Sequence, residues 1–406
     1  MPGSPISDAR VAEALHVSSV DPAELRCFLL WQIGQGRYVA GDGMVCGKNG
    51  KELLRLRDES GEGLRVQAGV DLTPEVLADL STKIQTDLLD PSRTTIAREF
   101  MFADKPCRGY FAYEQEFQML HPPDGAPLPP FSSAQFPFVL EFSMRDSPND
   151  VVHMVRRSAG LRYCSLVLGA LLDANICASN IHSSQSQHVW GLEAGVDKSS
   201  RYVQVMYRMP GFRHTADSFE RVENARPIPS TSATVFYTRR EGGGPQDEFD
   251  LPDDLSRCLA ILRTMSSDHR DKFLRSAYWV GHAAQVFDLS ISATYLAIMS
   301  AIEALLPPED KSRECPTCRR PWRQGAKSPF HEFLETYAGS DQYKVGRENL
   351  YRVRSAVSHG GRLLAIDTGL HAGRFTWQQV AEFEGVELAR RVARYALHNW
   401  LLHHAP

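Results

Sequence analysis

The chain has 406 residues, 43% of them hydrophobic and 23% charged, with a formal net charge of -4. That length exceeds what one core usually organises and predicts two or three domains, while the mild acidity excludes a uniformly basic, nucleic-acid-coating surface. The longest apolar runs, Ser165 to Leu172 and the stretch ending at Leu306, are too short or too interrupted to span a bilayer, and the opening MPGSPISDAR lacks the basic-then-apolar pattern of a signal peptide; no membrane and a cytoplasmic setting are expected.

In chain order, the first 120 or so residues alternate short apolar runs with Gly/Asp punctuation (GDGMVCGKNGKE, DESGEGLR), a pattern of β-hairpins. One helix start stands out there: Thr73-Pro74-Glu75 reads as cap, first-turn proline and first-turn acid, and Val76, Leu77, Leu80 and Ile84 follow at helical spacing. The Pro/Gly-rich stretch from His121 to Ser133 reads as a loop. Phe136 to Phe142 reads as a strand and Leu161 to Leu172 as a helix. His188 to Leu192, Tyr202 to Tyr207 and Thr234 to Tyr237 read as strands. Residues 1–240 are therefore a mixed α/β region, with a subdomain break near 121–133. The Gly/Pro/acid tract 241–254 is the expected linker.

Beyond it the pattern is helical: 254–265, 268–287, 290–306, 328–337, 341–359 and 377–403. The clearest stripe is Tyr295, Ile298, Met299, Ile302, Leu305 and Leu306. Ser328-Pro329 opens one helix, and Gly360-Gly361 stops another. The expected fold is α+β: a mixed α/β N-terminal region, then an all-α bundle over 255–406 with an insert at 307–327. There is no internal repeat, no Gly-rich phosphate loop and no HExxH pattern.

Six of the eight cysteines are scattered (Cys27, Cys46, Cys107, Cys164, Cys177, Cys258) and read as buried thiols. Cys315-Pro-Thr-Cys318, in the insert, looks like half of a structural zinc ribbon. Its other ligands are unknown; His331 is one candidate and a cysteine pair from a partner chain another. An unmetallated loop and a redox dithiol stand beside that reading. From Lys311 to Arg362 there are eleven basic residues against five acidic, a net of +6, which either attracts phosphate or is a solvated helix surface.

The segment LYRVRSAVSHG, Leu350 to Gly360, carries the most specific chemistry. Its apolar stripe is Leu350, Val353 and Val357, and Arg354 lies beside it, where a guanidinium needs a partner. Glu303, which edges the stripe of the 290–306 helix between Met299 and Leu306, is the obvious one. Arg354 and His359 are five residues apart, about 140° on the wheel and about 7.5 Å along the axis. A joint site therefore needs a bent helix end or a second copy of the motif across a two-fold axis.

Arg354-x4-His359 followed by Gly, with AIMSAIEALLP upstream, resembles the HEPN superfamily, in particular its ApeA-like branch. The likeness covers residues 285–365 well and leaves 1–240 untouched. It implies a metal-independent RNA endonuclease that needs no cofactor for catalysis, works as a homodimer with a composite site and acts in anti-phage defence or as a toxin, answering to a phage-derived trigger. It further implies that His359 exchanges protons with the attacking 2′-OH and the leaving oxygen, and that Arg354 holds the phosphate. Glu303 would be a supporting acid or, with Arg354, a buried pair that only locks two helices; Tyr351 and Arg352 would touch the RNA by stacking or phosphate contact, or be a packed tyrosine and a solvated arginine. Ser355 departs from the Asn, Asp or His that often follows the arginine. The alternative is a non-catalytic HEPN module that binds RNA, a nucleotide or a protein.

Overall fold

A computed structural model describes residues 6–34, 36–39, 43–59, 63–126, 136–172, 176–178, 211–223, 226–239, 248–287, 289–307, 327–339, 343–368 and 376–405. The fold is α+β, with antiparallel sheets toward the N-terminus and helices toward the C-terminus. No helix among the described residues is long and apolar enough to cross a membrane.

Two helices not anticipated from the sequence open the chain, α1 (Asp8–Ala14) and α2 (Pro22–Ile33). Asp21 caps α2, accepting from the backbone N–H of Ala23 (2.9 Å) and Glu24 (3.1 Å), with Pro22 in the first turn. Four antiparallel strands follow in sequential order: β1 (Arg37–Val39), β2 (Gly43–Lys48), β3 (Lys51–Glu59) and β4 (Gly63–Ala68). Asn49 and Gly50, both at positive φ (57° and 77°), make the two-residue turn between β2 and β3 that Asn-Gly favours. The expected helix is α3 (Pro74–Ile84), its cap hydroxyl on Thr73 accepting from Val76 N–H, and a π-helical turn (Gln85–Leu89) extends it. These elements enclose one apolar core, including Leu25, Phe28, Leu54, Val66, Leu80 and Ile84, with Val152 reaching in from outside.

The second sheet is built on β5 (Thr94–Ala103) and β8 (Phe136–Arg145), paired along their full length, with β6 (Phe111–Tyr113) and β7 (Phe117–Leu120) completing one side. The short β9 (Cys177–Ala178) and β10 (Thr215–Ala216) pair with the other side of β5. Helix α4 (Asp150–Leu171) runs across this sheet and begins eleven residues before the stretch read as helical. It sits close to the sheet because Gly160 has no Cβ; one would come within 2.5 Å of the Phe142 ring. Arg156, on α4, is buried and donates to the Glu24 carboxylate (2.8 and 3.0 Å), to Leu88 C=O (2.8 Å) and to Asp146 C=O (2.8 Å).

Thr234 to Tyr237 is not a strand but part of helix α5 (Ala233–Thr238). Four aromatic and β-branched residues favour a strand only on average. Here Phe236 and Tyr237, adjacent in sequence, are both buried, the Tyr237 hydroxyl donates to Leu171 C=O, and Asp253 accepts from Ala233 N–H to cap the turn. The strands expected at 188–192 and 202–207 lie outside the described residues. A short parallel pair, β11 (Ser230–Thr231) and β12 (Leu251–Pro252), lies beside α5. Within the stretch read as a linker, residues 248–254 are packed: Phe249 and Leu251 are buried and Asp250 accepts from both Nη atoms of Arg239.

The helices of the C-terminal part are α6 (Leu255–Thr264), α7 (Ser267–Val286), α8 (Ile291–Glu303), α9 (Lys327–Tyr337), α10 (Lys344–Ser358), α11 (Ala365–Thr368) and α12 (Trp377–His403). Apart from the short α11, which was not expected, they follow the sequence periodicity to within a few residues at their ends; α9 begins one residue before the expected cap, Ser328. Thr376 and Gln379 form a reciprocal capping box on α12. Asp367 caps α8 from outside, accepting from Ile291 N–H (2.8 Å), Ser292 N–H (2.7 Å) and the Ser290 hydroxyl (3.0 Å). One apolar cluster joins this bundle to the second sheet and α4, running from Ala97 to Leu401.

Candidate active site

Helix α10 is held in register against α8 by its apolar stripe. Leu350 and Val357 are buried, and the buried Tyr295 hydroxyl donates to Leu350 C=O at 2.7 Å. This seating carries Arg354 to the last turn of α8. There the guanidinium meets Glu303 side-on, Nε to Oε1 at 2.8 Å and Nη2 to Oε2 at 3.1 Å. The two-pronged geometry fixes the plane of the guanidinium as well as its charge. Both side chains are partly exposed, 24% and 31%, so the pair lies at the rim of the packing rather than inside it. The partnership expected from the sequence between Arg354 and Glu303 is thus present.

His359 is the C-cap of α10. The chain leaves the helix through Gly360 at φ 69°, with Gly361 N–H returning to Ala356 C=O (2.9 Å) and Gly360 N–H to Val357 C=O (3.1 Å). This is a Schellman ending, which needs a residue without Cβ strain at position 360. It leaves His359 exposed, and its ring makes no hydrogen bond, ion pair or ring contact among the described residues. Five residues apart, about 140° around the helix, the arginine and histidine of one chain do not share a face of the helix end.

Tyr351 packs beside Arg354. Its ring is 5.4 Å from that of Phe330 and 6.1 Å from His331, and the Arg354 guanidinium lies 5.9 Å from its centroid. Tyr351 is therefore a half-buried support for Arg354. Arg352 is exposed and donates to Asn349 Oδ1 at 3.1 Å. Of the basic stretch, Lys311, Arg313, Arg319, Arg320 and Arg323 lie outside the described residues. Arg347 is spent on the end of α9, donating to Leu334 and Ala338 C=O (3.1 and 2.9 Å).

Cys315 and Cys318 also lie outside the described residues. Their candidate co-ligand His331 is on α9, with Nε2 buried and unpaired among the described residues. Cys46, Cys107, Cys164 and Cys258 are buried free thiols and Cys27 is half-buried. Burial pushes the Cys46 and Cys107 thiols up to about 11 and that of Cys164 to about 12.

Two polar clusters escaped the sequence reading. In the second sheet the fully buried Glu141 accepts from Gln118 Nε2 (2.7 Å) and Glu220 N–H (2.9 Å) through one carboxylate oxygen and forms an ion pair with Arg98 (Nε 2.6 Å from the other). In the bundle, Asp254 and Cys258 of α6 meet His398 of α12. Each depends on residues far apart in the chain; His398 is 144 positions from Asp254. The one local signal was the i, i+4 spacing of Asp254 and Cys258. No family model, no curated protein and no solved structure matches the chain.

Proposed function

We propose that this protein is a HEPN-type, metal-independent RNA endonuclease whose working groups are Arg354 and His359. The observation that carries the reading is their placement at the exposed end of α10: an oriented guanidinium and an unengaged imidazole, on a helix seated by Tyr295 and Glu303. Glu303 engages the Nε and Nη2 edge of the Arg354 guanidinium, which leaves the Nη1 edge for a phosphate oxygen. His359 takes the proton of a ribose 2′-OH as the 2′-oxygen bonds to phosphorus. The P–O5′ bond breaks, and an imidazolium returns the proton to the leaving oxygen. A DNA strand, lacking the 2′-OH, is no substrate.

Because His359 and Arg354 of one chain do not share a face, the complete site is a homodimeric one, with His359 of one copy serving beside Arg354 of the other. Residues 1–240 restrain the site until a phage-derived trigger arrives, in the cytoplasm of the host, as an anti-phage or toxin-like device. Tyr351 acts as a brace for Arg354, and Arg352, the exposed neighbour, is the better candidate for phosphate contact. The insert cysteines Cys315 and Cys318 supply a structural zinc site with no part in the chemistry.

The test is purified protein with total RNA in EDTA, paired with RNA integrity in cells after induction with and without phage. Wild type is expected to cut. His359→Ala should lose about 100-fold or more in rate, the usual worth of a general base, with an unchanged melting curve because the exposed ring makes no hydrogen bond, ion pair or ring contact among the described residues. Equal cutting by His359→Ala would sink the reading. The alternative, a HEPN module that binds RNA, a nucleotide or a protein without cutting, is favoured by one observation: Arg354 already has its counter-charge in Glu303. It predicts no cleavage in any arm and binding that survives His359→Ala.

A further inference from the structure

Asp254 and Cys258 stand one turn apart on α6 and project from the same face, toward α12. His398 of α12 meets them there. A carboxylate oxygen, the thiol sulfur and a ring nitrogen all lie within 4.8 Å of one another, and His398 Nε2 is 2.7 Å from Asp254 Oδ2. Asp254 occupies the N-cap of α6 yet makes no capping bond. An aspartate in that position ordinarily accepts from the backbone of the first turn, so this side chain is committed elsewhere. Its second oxygen, Oδ1, is buried and without a hydrogen-bond partner. Cys258 is fully buried and His398 is 4% exposed, which removes solvent from both. The Tyr237 ring stacks 4.4 Å from that of His398, and Asn399 Oδ1 lies 3.3 Å from Nδ1, so the imidazole is oriented from both sides.

We propose that Asp254, Cys258 and His398 bind one divalent cation of the zinc class, with a water completing the shell at the partly exposed Asp254 edge. The donor set decides the class. Thiolate and imidazole select a borderline-soft ion over magnesium or calcium, and thiolate plus carboxylate neutralise its two charges. Tetrahedral zinc ligands lie roughly 3.3 Å apart, somewhat more than the present His398–Asp254 contact. The ion thus replaces the proton shared by that pair and displaces the thiol proton of Cys258. Bound there, it ties the first helix of the bundle to the last. This site is separate from Arg354 and His359, and its fate does not depend on whether the protein cuts RNA.

The experiment is a cobalt(II) titration of the full-length, chelator-treated protein, read by its absorption spectrum. The background is Cys315→Ser with Cys318→Ser, which removes the competing thiols of the insert. One equivalent of cobalt should give a thiolate charge-transfer band and the intense visible bands of a four-coordinate ion. Adding Cys258→Ala or His398→Gln should abolish the charge-transfer band or weaken binding at least tenfold. Should either variant fold poorly, the background protein itself decides: zinc(II) must raise its melting temperature. Bands that vanish with the insert cysteines, bands that survive Cys258→Ala, or a melting temperature indifferent to zinc would each overturn the proposal.

Discussion

Arg354 and Glu303 are where the sequence was most readable at the level of single residues. Each stood beside an apolar stripe, and a charge so placed needs a partner. Their coupling is that of a rim pair: geometry better than an ordinary surface bridge, screening greater than in a buried one. A double-mutant cycle of Arg354→Ala and Glu303→Gln in thermal melts should give a coupling of about 1 kcal/mol. A value near zero would mean the fork does not hold α8 to α10. His359 was legible for a different reason, since Gly360 and Gly361 announce the helix end that exposes it. The Asp254–His398 contact was not legible, because nothing local distinguishes His398 from any other histidine on the last helix.

At the level of elements, caps and stops were the dependable signals. Thr73 and Gly360 each mark a boundary where the structure has one, and each works through backbone groups within four residues. Thr234 to Tyr237 misled because four residues are too few for periodicity to separate helix from strand, and the deciding contacts come from Leu171 and Asp253. Helix α8 is capped twice, by Ser290, whose hydroxyl accepts from Ala293 N–H (3.1 Å), and from outside by Asp367 of another helix. Burial raises the pKa of this carboxyl, but bonds from Ser292, Ile291 and Ser290 outweigh it and the net shift is downward. A depressed carboxylate stabilises the fold above its unfolded pKa, and that stability drains away as pH falls through the folded value. Asp367→Asn should therefore lower stability at pH 7 in denaturant titrations, with the gap to wild type closing below about pH 4. A gap that persists unchanged at pH 2.5 would show that charge has no part in the cap.

Over the whole molecule, the helical character of the C-terminal part was evident from its 3.6-residue stripes, while the second sheet was not, because β5 and β8 find each other across an intervening hairpin and a Pro-rich stretch. Nor does the sequence reveal that the packing of that sheet continues into the bundle. Arg156 is the residue that fastens the first core to the rest, and it spends its donors on Glu24, Leu88 and Asp146. Arg156→Met should cost about 3 kcal/mol, since it strands the Glu24 carboxylate and the Asp146 carbonyl, while Leu88 C=O keeps Arg145 Nη2 at 2.9 Å. A loss under 0.5 kcal/mol in equilibrium unfolding would mean the clamp is decorative.

Helix α4 contributes Val152 to the first core and Leu161 to Leu171 to the second. A single run of backbone hydrogen bonds thus has one end in each. Opening either core frays the element the other depends on, so thermal unfolding should show one transition rather than two that follow in turn. The amides in the middle of α4 should then be among the slowest clocks of the described residues, exchanging with solvent only when their surroundings have already let go.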